Sequence, residues 1–193
     1  MTRDEAQQLL TKYLKNKNLV KHSLAAEVTM RALYRRLTPQ NEQSPLDEEK
    51  WGITGLLHDV DYELAQEQNK LDRHGILLFE TGELSLPEDI EHAIKSHNHT
   101  MTKVEPKNLM DWSITACDQL TGLVTACALV RPDKKLESVT VESVMKKFGQ
   151  KAFAAGADRD AIKFCESKLN IPLEEFVEIC LKAMQSISED LGL

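Results

Sequence analysis

The sequence predicts an all-α protein. Charged residues make up 28% of the chain and aromatics only 5%, with 8 Gly and 6 Pro, a balance that favours helices over a glycine-punctuated, β-branched β-protein. Apolar residues also recur at intervals of three and four in segment after segment, the period of a helix with one buried face. At 193 residues the chain is long enough to bury a sizeable core as one domain, or as a domain with a helical extension.

Thr2 and Glu5 form a capping-box pattern that opens a first helix running to about Lys15, with Leu9, Leu10, Tyr13 and Leu14 on its apolar side. Asn16-Lys17-Asn18 reads as a turn. A second helix is expected from about Val20 to Leu37, with His22, Ala26, Thr29, Leu33 and Leu37 on one face. Thr38 to Gln43 is a loop, after which Ser44-Pro45-Leu46-Asp47 supplies a cap and an early proline for a helix ending at His58-Asp59. His74 is expected to open the next helix, sharing a face with Leu77 and Leu78. Pro87 starts another, in which His97 aligns with Ile90, Ala93 and Ile94, whereas His92, Lys95 and His99 share the opposite side; His92 and His99 read as surface residues, although a helix ending at Ser96 would let His99 turn inward. The helix from about Asn108 to Val130 is largely apolar and carries Asp118 between Ile114 and Gly122, where a carboxylate is costly unless paired.

At Arg131 the composition shifts. Arg131-Pro132-Asp133-Lys134-Lys135 is a basic loop, Asp158 can cap a short helix bearing Ile162 and Cys165, and Pro172 can start a helix with the stripe Phe176, Val177, Cys180 and Met184. Residues 131–193 are therefore expected to form a helical extension packed on a domain of residues 1–130, the two making one structural unit.

A formal net charge of -7 argues against general nucleic-acid binding, which needs an excess of Lys and Arg. Cys117, Cys127, Cys165 and Cys180 show no C-x-x-C spacing and sit among apolar residues, so they read as reduced core thiols. The start Met1-Thr2-Arg3-Asp4-Glu5 is unlike a signal peptide, and no apolar run approaches the roughly 18 residues that span a bilayer. A cytoplasmic location without a membrane partner is expected.

The inward-facing polar residues are His22, the doublet His58-Asp59, His74, His97 and Asp118, distributed over five successive predicted helices. Gly55-Leu56-Leu57 runs straight into the doublet. Polar groups set against apolar faces must be compensated once buried, and a divalent ion is the natural compensator. Imidazole and carboxylate donors without a thiolate suit Mn, Fe, Co, Ni or Zn, while Mg leans more on oxygen.

This order of residues resembles the HD-domain superfamily of metal-dependent phosphohydrolases, in a compact, HDIG-like form, over roughly residues 20 to 125. The resemblance implies an HD-domain helical bundle. Its mononuclear pattern, a His, the His-Asp doublet and a distal Asp, corresponds to His22, His58, Asp59 and Asp118. The dinuclear branch adds two histidines, which here are His74, followed by Gly75, and His97, after Ala93-Ile94-Lys95-Ser96. Val60-Asp61 stands where many members have Ile-Gly. One or two ions per chain are implied, two being favoured, with Asp59 as the bridge.

Hydrolysis of a phosphoester of a small metabolite or nucleotide through a metal-activated water is then the expected function. Asp59 is the carboxylate placed at the reaction centre. Asp61 and Glu63 follow the doublet closely and are candidates for a general acid or for orienting the water. Arg73, Lys95 and Arg131, with Lys134 and Lys135, are candidate phosphate contacts. The chain has no Gly-rich phosphate loop and no base-stacking aromatic cluster. Two other classes share the ligand set: an HD-type di-iron oxygenase, and a non-catalytic regulator that binds metal or nucleotide. The regulator has no need of an open metal site.

Overall fold

Two long helices frame the molecule, α2 (Lys17–Leu37) and α8 (Leu109–Leu129), in a computed structural model that covers residues 1–193. Before α2 comes α1 (Arg3–Tyr13), and after it α3 (Pro45–Leu57), α4 (Tyr62–Glu67), α5 (Leu77–Glu80), α6 (Glu88–His97) and α7 (His99–Thr102). The chain beyond α8 forms α9 (Val141–Phe148), α10 (Arg159–Ile162), α11 (Phe164–Ser167), α12 (Leu173–Gln185) and α13 (Ser188–Leu191), and no strand is present. No helix is long and apolar enough to cross a membrane.

Side-chain caps account for the starts of the first three helices. Thr2 and Glu5 make the capping box of α1, each side chain bonding the other's backbone N–H, which satisfies two donors that the first turn leaves free. Ser44 Oγ accepts the Asp47 N–H, with Pro45 as first helical residue of α3. The second helix begins earlier than its apolar pattern indicates. Asn16 Oδ1 accepts the Asn18 N–H at 2.9 Å, and this cap draws the start back to Lys17.

Two apolar clusters hold the helices. One joins Leu10 of α1 and Leu14, just past its end, to Ile53, Leu56 and Leu57 of α3 and to Ile90 and Ile94 of α6. The larger joins Met30 and Leu33 of α2 and Ile114, Leu120 and Val124 of α8 to Val144, Ile162, Phe176, Cys180 and Met184. Leu24 packs on both. Residues 131–193 thus contribute to the same core as α2 and α8, and Phe176 is fully buried in it. Truncating such a residue to alanine costs about 3–5 kcal/mol. The four cysteines are free and buried, and burial pushes the Cys180 thiol up to about 12.

Close approach of α2 and α3 matters most for the site. A Cβ on Gly55 would lie 2.6 Å from the Ala26 carbonyl oxygen, so only glycine lets the helices meet there. The contact sets the end of α3, and with it His58, beside the first turns of α2.

Candidate metal centre

His22 projects from α2, and His58, the residue that ends α3, meets it with ring centroids 5.2 Å apart. Asp59 lies in the turn that follows. Asp118 projects from α8, which packs on α2, so that His22 Nε2 and Asp118 Oδ1 are 2.8 Å apart. His97 is the last residue of α6 and faces inward with Ile90 and Ile94, because the helix stays regular that far.

His74 arrives differently from the sequence expectation. It does not open a helix: it follows a single 3₁₀ turn, Leu71–Arg73, in extended conformation, and α5 begins only at Leu77. The next residue, Gly75, has φ +92°, and a Cβ there would come within 3.0 Å of His97 Cε1. The glycine therefore serves both the left-handed backbone and the close approach of His74 to His97.

The donor atoms form two triads that share Asp59: His22, His58 and Asp59 in one, Asp59, His74 and His97 in the other, each with its atoms within 4.8 Å of one another. Asp59 Oδ2 is 3.6 Å from His22 Nε2, and Oδ1 is 3.5 Å from His58 Nε2, 2.9 Å from His74 Nε2 and 3.7 Å from His97 Nε2. Asp118 Oδ1 adds to the first triad, 3.6 Å from His58 Nε2. Ligands about 2.0–2.2 Å from one ion stand roughly 3 to 3.5 Å apart, which is close to this spacing.

Every imidazole is oriented by a bond at Nδ1 that leaves Nε2 turned into the cleft. His58 Nδ1–H donates to the Gly55 carbonyl at 2.8 Å, His97 Nδ1–H to the Ile94 carbonyl at 2.5 Å and His74 Nδ1–H to Asp61 Oδ1 at 2.8 Å. Thr121 Oγ1 donates its hydrogen to the Asp118 carbonyl and so accepts from His22 Nδ1–H at 3.3 Å. Such tethers fix the tautomer and ring plane of metal-binding histidines. His58 Nε2 is buried without a hydrogen-bond partner, and His74 and His97 point their Nε2 atoms at each other across 3.2 Å. A buried ring nitrogen without a partner and two Nε2 atoms facing each other across 3.2 Å mark a place that a cation would compensate, so these residues fit a metal.

The charges fit as well. Burial disfavours the charged form of His58, but Asp59 and Asp118 outweigh it and raise its pKa to about 9. Burial likewise opposes charge on His74, and bonds to Asp59 and Asp61 raise it to about 10. Burial and the two neighbouring imidazoles lower His97 to about 4. Asp59 and Asp118 are held below the usual carboxylate range, burial being overcome by the histidines around them.

Other expectations change as well. Asp61 does not face the cleft, because its carboxylate accepts the His74 Nδ1–H and the backbone N–H groups of Gly75 and Leu77, all 2.8–2.9 Å away. Glu63 points away too, and accepts the Lys15 and Asn16 N–H groups before α2. Arg73 is neutralised by Glu80 and Lys95 by Glu91, the latter with its ammonium 5.0 Å over the Phe79 ring. Arg131 lies just beyond the end of α8, 13 residues past Asp118 and hence roughly 20 Å along the axis, so the basic loop with Lys134 and Lys135 is remote from the cleft. His92 and His99 are not plain surface residues. His92 Nδ1 is 2.9 Å from the carboxylate of fully buried Asp111, and His99 packs beside Trp112 and Phe164.

The cleft has a volume of about 290 Å³ and is lined by Leu19, Tyr62 and Asn98 besides the donors His22, Asp59, His74, His97 and Asp118. Sequence reasoning missed Tyr62 and Asn98, although each adjoins a reading already made. It also missed Gln119. Its Nε2 donates to Asp118 Oδ2 at 2.7 Å, while its Oε1 accepts the Asp158 N–H at 2.9 Å, a link between α8 and the start of α10 that no periodicity signals.

A strand-free helical fold whose imidazoles and carboxylates converge on one cleft defines a protein suited to holding divalent metal. The HD domain family model matches residues 19–123, a span that contains all six candidate donors, and the chain belongs to that family. HD domains bind divalent metals, and most of the superfamily are hydrolases. No curated protein and no solved structure matches the chain.

Proposed function

We propose that this protein is a metal-dependent phosphohydrolase that cleaves a phosphoester of a small metabolite or nucleotide, using two divalent ions. The observation that carries this reading is the shared carboxylate: Asp59 belongs to both triads, with Oδ2 3.6 Å from His22 Nε2 and Oδ1 within 3.7 Å of the Nε2 atoms of His58, His74 and His97. In it, His22, His58, Asp59 and Asp118 hold the first ion, and Asp59, His74 and His97 the second. When bound, such ions lower the pKa of a coordinated water towards neutrality and polarise a phosphoryl oxygen.

The chain's own residues supply position and charge. The Nδ1 tethers keep the four rings from turning, so the donor set is formed before metal or substrate arrives. Asp59 places negative charge between two groups of imidazoles. Tyr62 and Asn98 border the cleft and offer a hydroxyl and an amide to phosphoryl oxygens.

The test is metal-free protein reloaded with Mn²⁺ under argon and supplied with a panel of phosphomonoesters and phosphodiesters, with inorganic phosphate and alcohol products measured. Metal-dependent release of product is expected. The oxygenase reading predicts instead that only iron-loaded protein turns over, with substrate-dependent uptake of O₂. Turnover by neither preparation, at full metal content, is the outcome that favours a regulator.

A further inference from the structure

Beside the metal cleft lies a second, larger groove. Its volume is about 410 Å³, and the two spaces meet at His22, which lines both. Its walls include Lys21, Gly122, Thr125, Leu129 and Leu191. Two features of this lining are unexplained by packing.

The first is Gly122. It stands in the interior of α8, one turn beyond Asp118 and next to Thr121, which bonds His22. Glycine is a poor helix former, and in a tightly packed helix it is kept where a neighbour comes close, as at Gly55. At Gly122 a Cβ would meet nothing within 4 Å. The missing side chain leaves open space, and that space is the groove. Leu129, two turns further on, is 51% exposed along the same wall, an apolar surface that a ligand body would cover.

The second is Lys21. Its Nζ lies 2.8 Å from where a Cβ on Gly192 would stand, inside a groove whose lining contains no acidic side chain. The chain carries a net charge of -7, and the cations near the cleft that sequence suggested, Arg73 and Lys95, are each neutralised by a glutamate. Lys21 forms no such pair. It is adjacent to His22 on α2, so it presents positive charge one residue from a metal donor.

We infer that this groove receives the leaving-group part of the substrate, and that Lys21 meets a second anionic group carried on it. The substrate class is then a phosphoester whose partly apolar body bears a carboxylate or a further phosphate. The inference rests on the phosphohydrolase reading for the word leaving group, while the groove itself is tested by binding alone.

Three phosphonates, which cannot be hydrolysed, serve as probes of the metal-loaded protein by titration calorimetry: methylphosphonate, benzylphosphonate and 4-carboxybenzylphosphonate. Wild type should bind the carboxylated compound at least tenfold more tightly than benzylphosphonate. Lys21→Met should erase that preference and Lys21→Arg restore most of it. Gly122→Leu, which introduces a good helix former, should weaken both benzyl compounds by tenfold or more and leave methylphosphonate within about twofold. Circular dichroism and metal content confirm that each variant is folded and loaded. An absent preference for the carboxylate in wild type, or unchanged benzylphosphonate binding in Gly122→Leu, overturns the inference. Phosphate release from 4-carboxyphenyl phosphate is followed on the same preparations. The expected binding pattern without any release would uphold the groove and count against hydrolysis.

Discussion

Asp61 accepts the Nδ1–H of His74 at 2.8 Å and, with the same carboxylate, the backbone N–H groups of Gly75 and Leu77 at 2.9 Å each. It therefore shapes the turn that carries His74 and fixes the ring whose Nε2 faces Asp59. Asp61→Asn keeps the size but places amide hydrogens against at least one of these donors. Affinity for the second ion is expected to fall about 10- to 100-fold, the usual effect of losing such a supporting partner. The first ion should be retained. Stepwise metal titration of wild type and variant reads both, and two unchanged affinities would remove Asp61 from any role at the centre.

On the other side of the site, Gln119 bridges Asp118 and the Asp158 N–H at the head of α10. It occupies Asp118 Oδ2 and leaves Oδ1 for His22 and His58. Gln119→Leu should weaken the first ion about tenfold with little effect on the second, the mirror image of Asp61→Asn. Competition with a chelator of known affinity measures it. Equal weakening of both ions would indicate a general loosening of α8 instead.

Much of this centre could be read from the chain because His22, His97 and Asp118 lie in helices long enough for the 3.6-residue period to hold. The period also separated His97 from His99, and the structure agrees: His97 lines the cleft and His99 packs beside Trp112. His74 escaped the same arithmetic because a glycine at φ +92° and three bonds to Asp61 determine its position. For that reason Asp61, read as a candidate acid, turned out to support a neighbour. Lys95 has Glu91 four residues before it, so its neutralisation was legible from helical spacing. The pairing of His92 with Asp111 was not, since two helices must pack before these residues meet.

Protons provide another check. In the metal-free chain the carboxylates raise His58 to about 9 and His74 to about 10, whereas His97 is lowered to about 4. At pH 8 the first two are protonated and the third is neutral. Because an imidazole must be neutral to bind a metal, filling both positions at pH 8 should release about two protons from His58 and His74, and affinity should fall as the pH is lowered. Calorimetry in buffers of different ionisation enthalpy counts them. Metal uptake at pH 8 with no proton release would show that the two histidines are already neutral in the metal-free protein.

The measurement closest to the central claim is the metal-to-protein ratio of wild type and of the double variant His74→Ala/His97→Ala, both purified anaerobically and reloaded with Mn²⁺. Removing these two side chains takes away one triad except for Asp59, while His22, His58, Asp59 and Asp118 keep the other intact. Two ions per chain in wild type and about one in the variant, with the fold retained and most turnover lost, is the result that two-metal phosphoester hydrolysis predicts. An identical ratio in the two proteins would contradict it, and the variant's loss would then appear as a raised KM with kcat less affected.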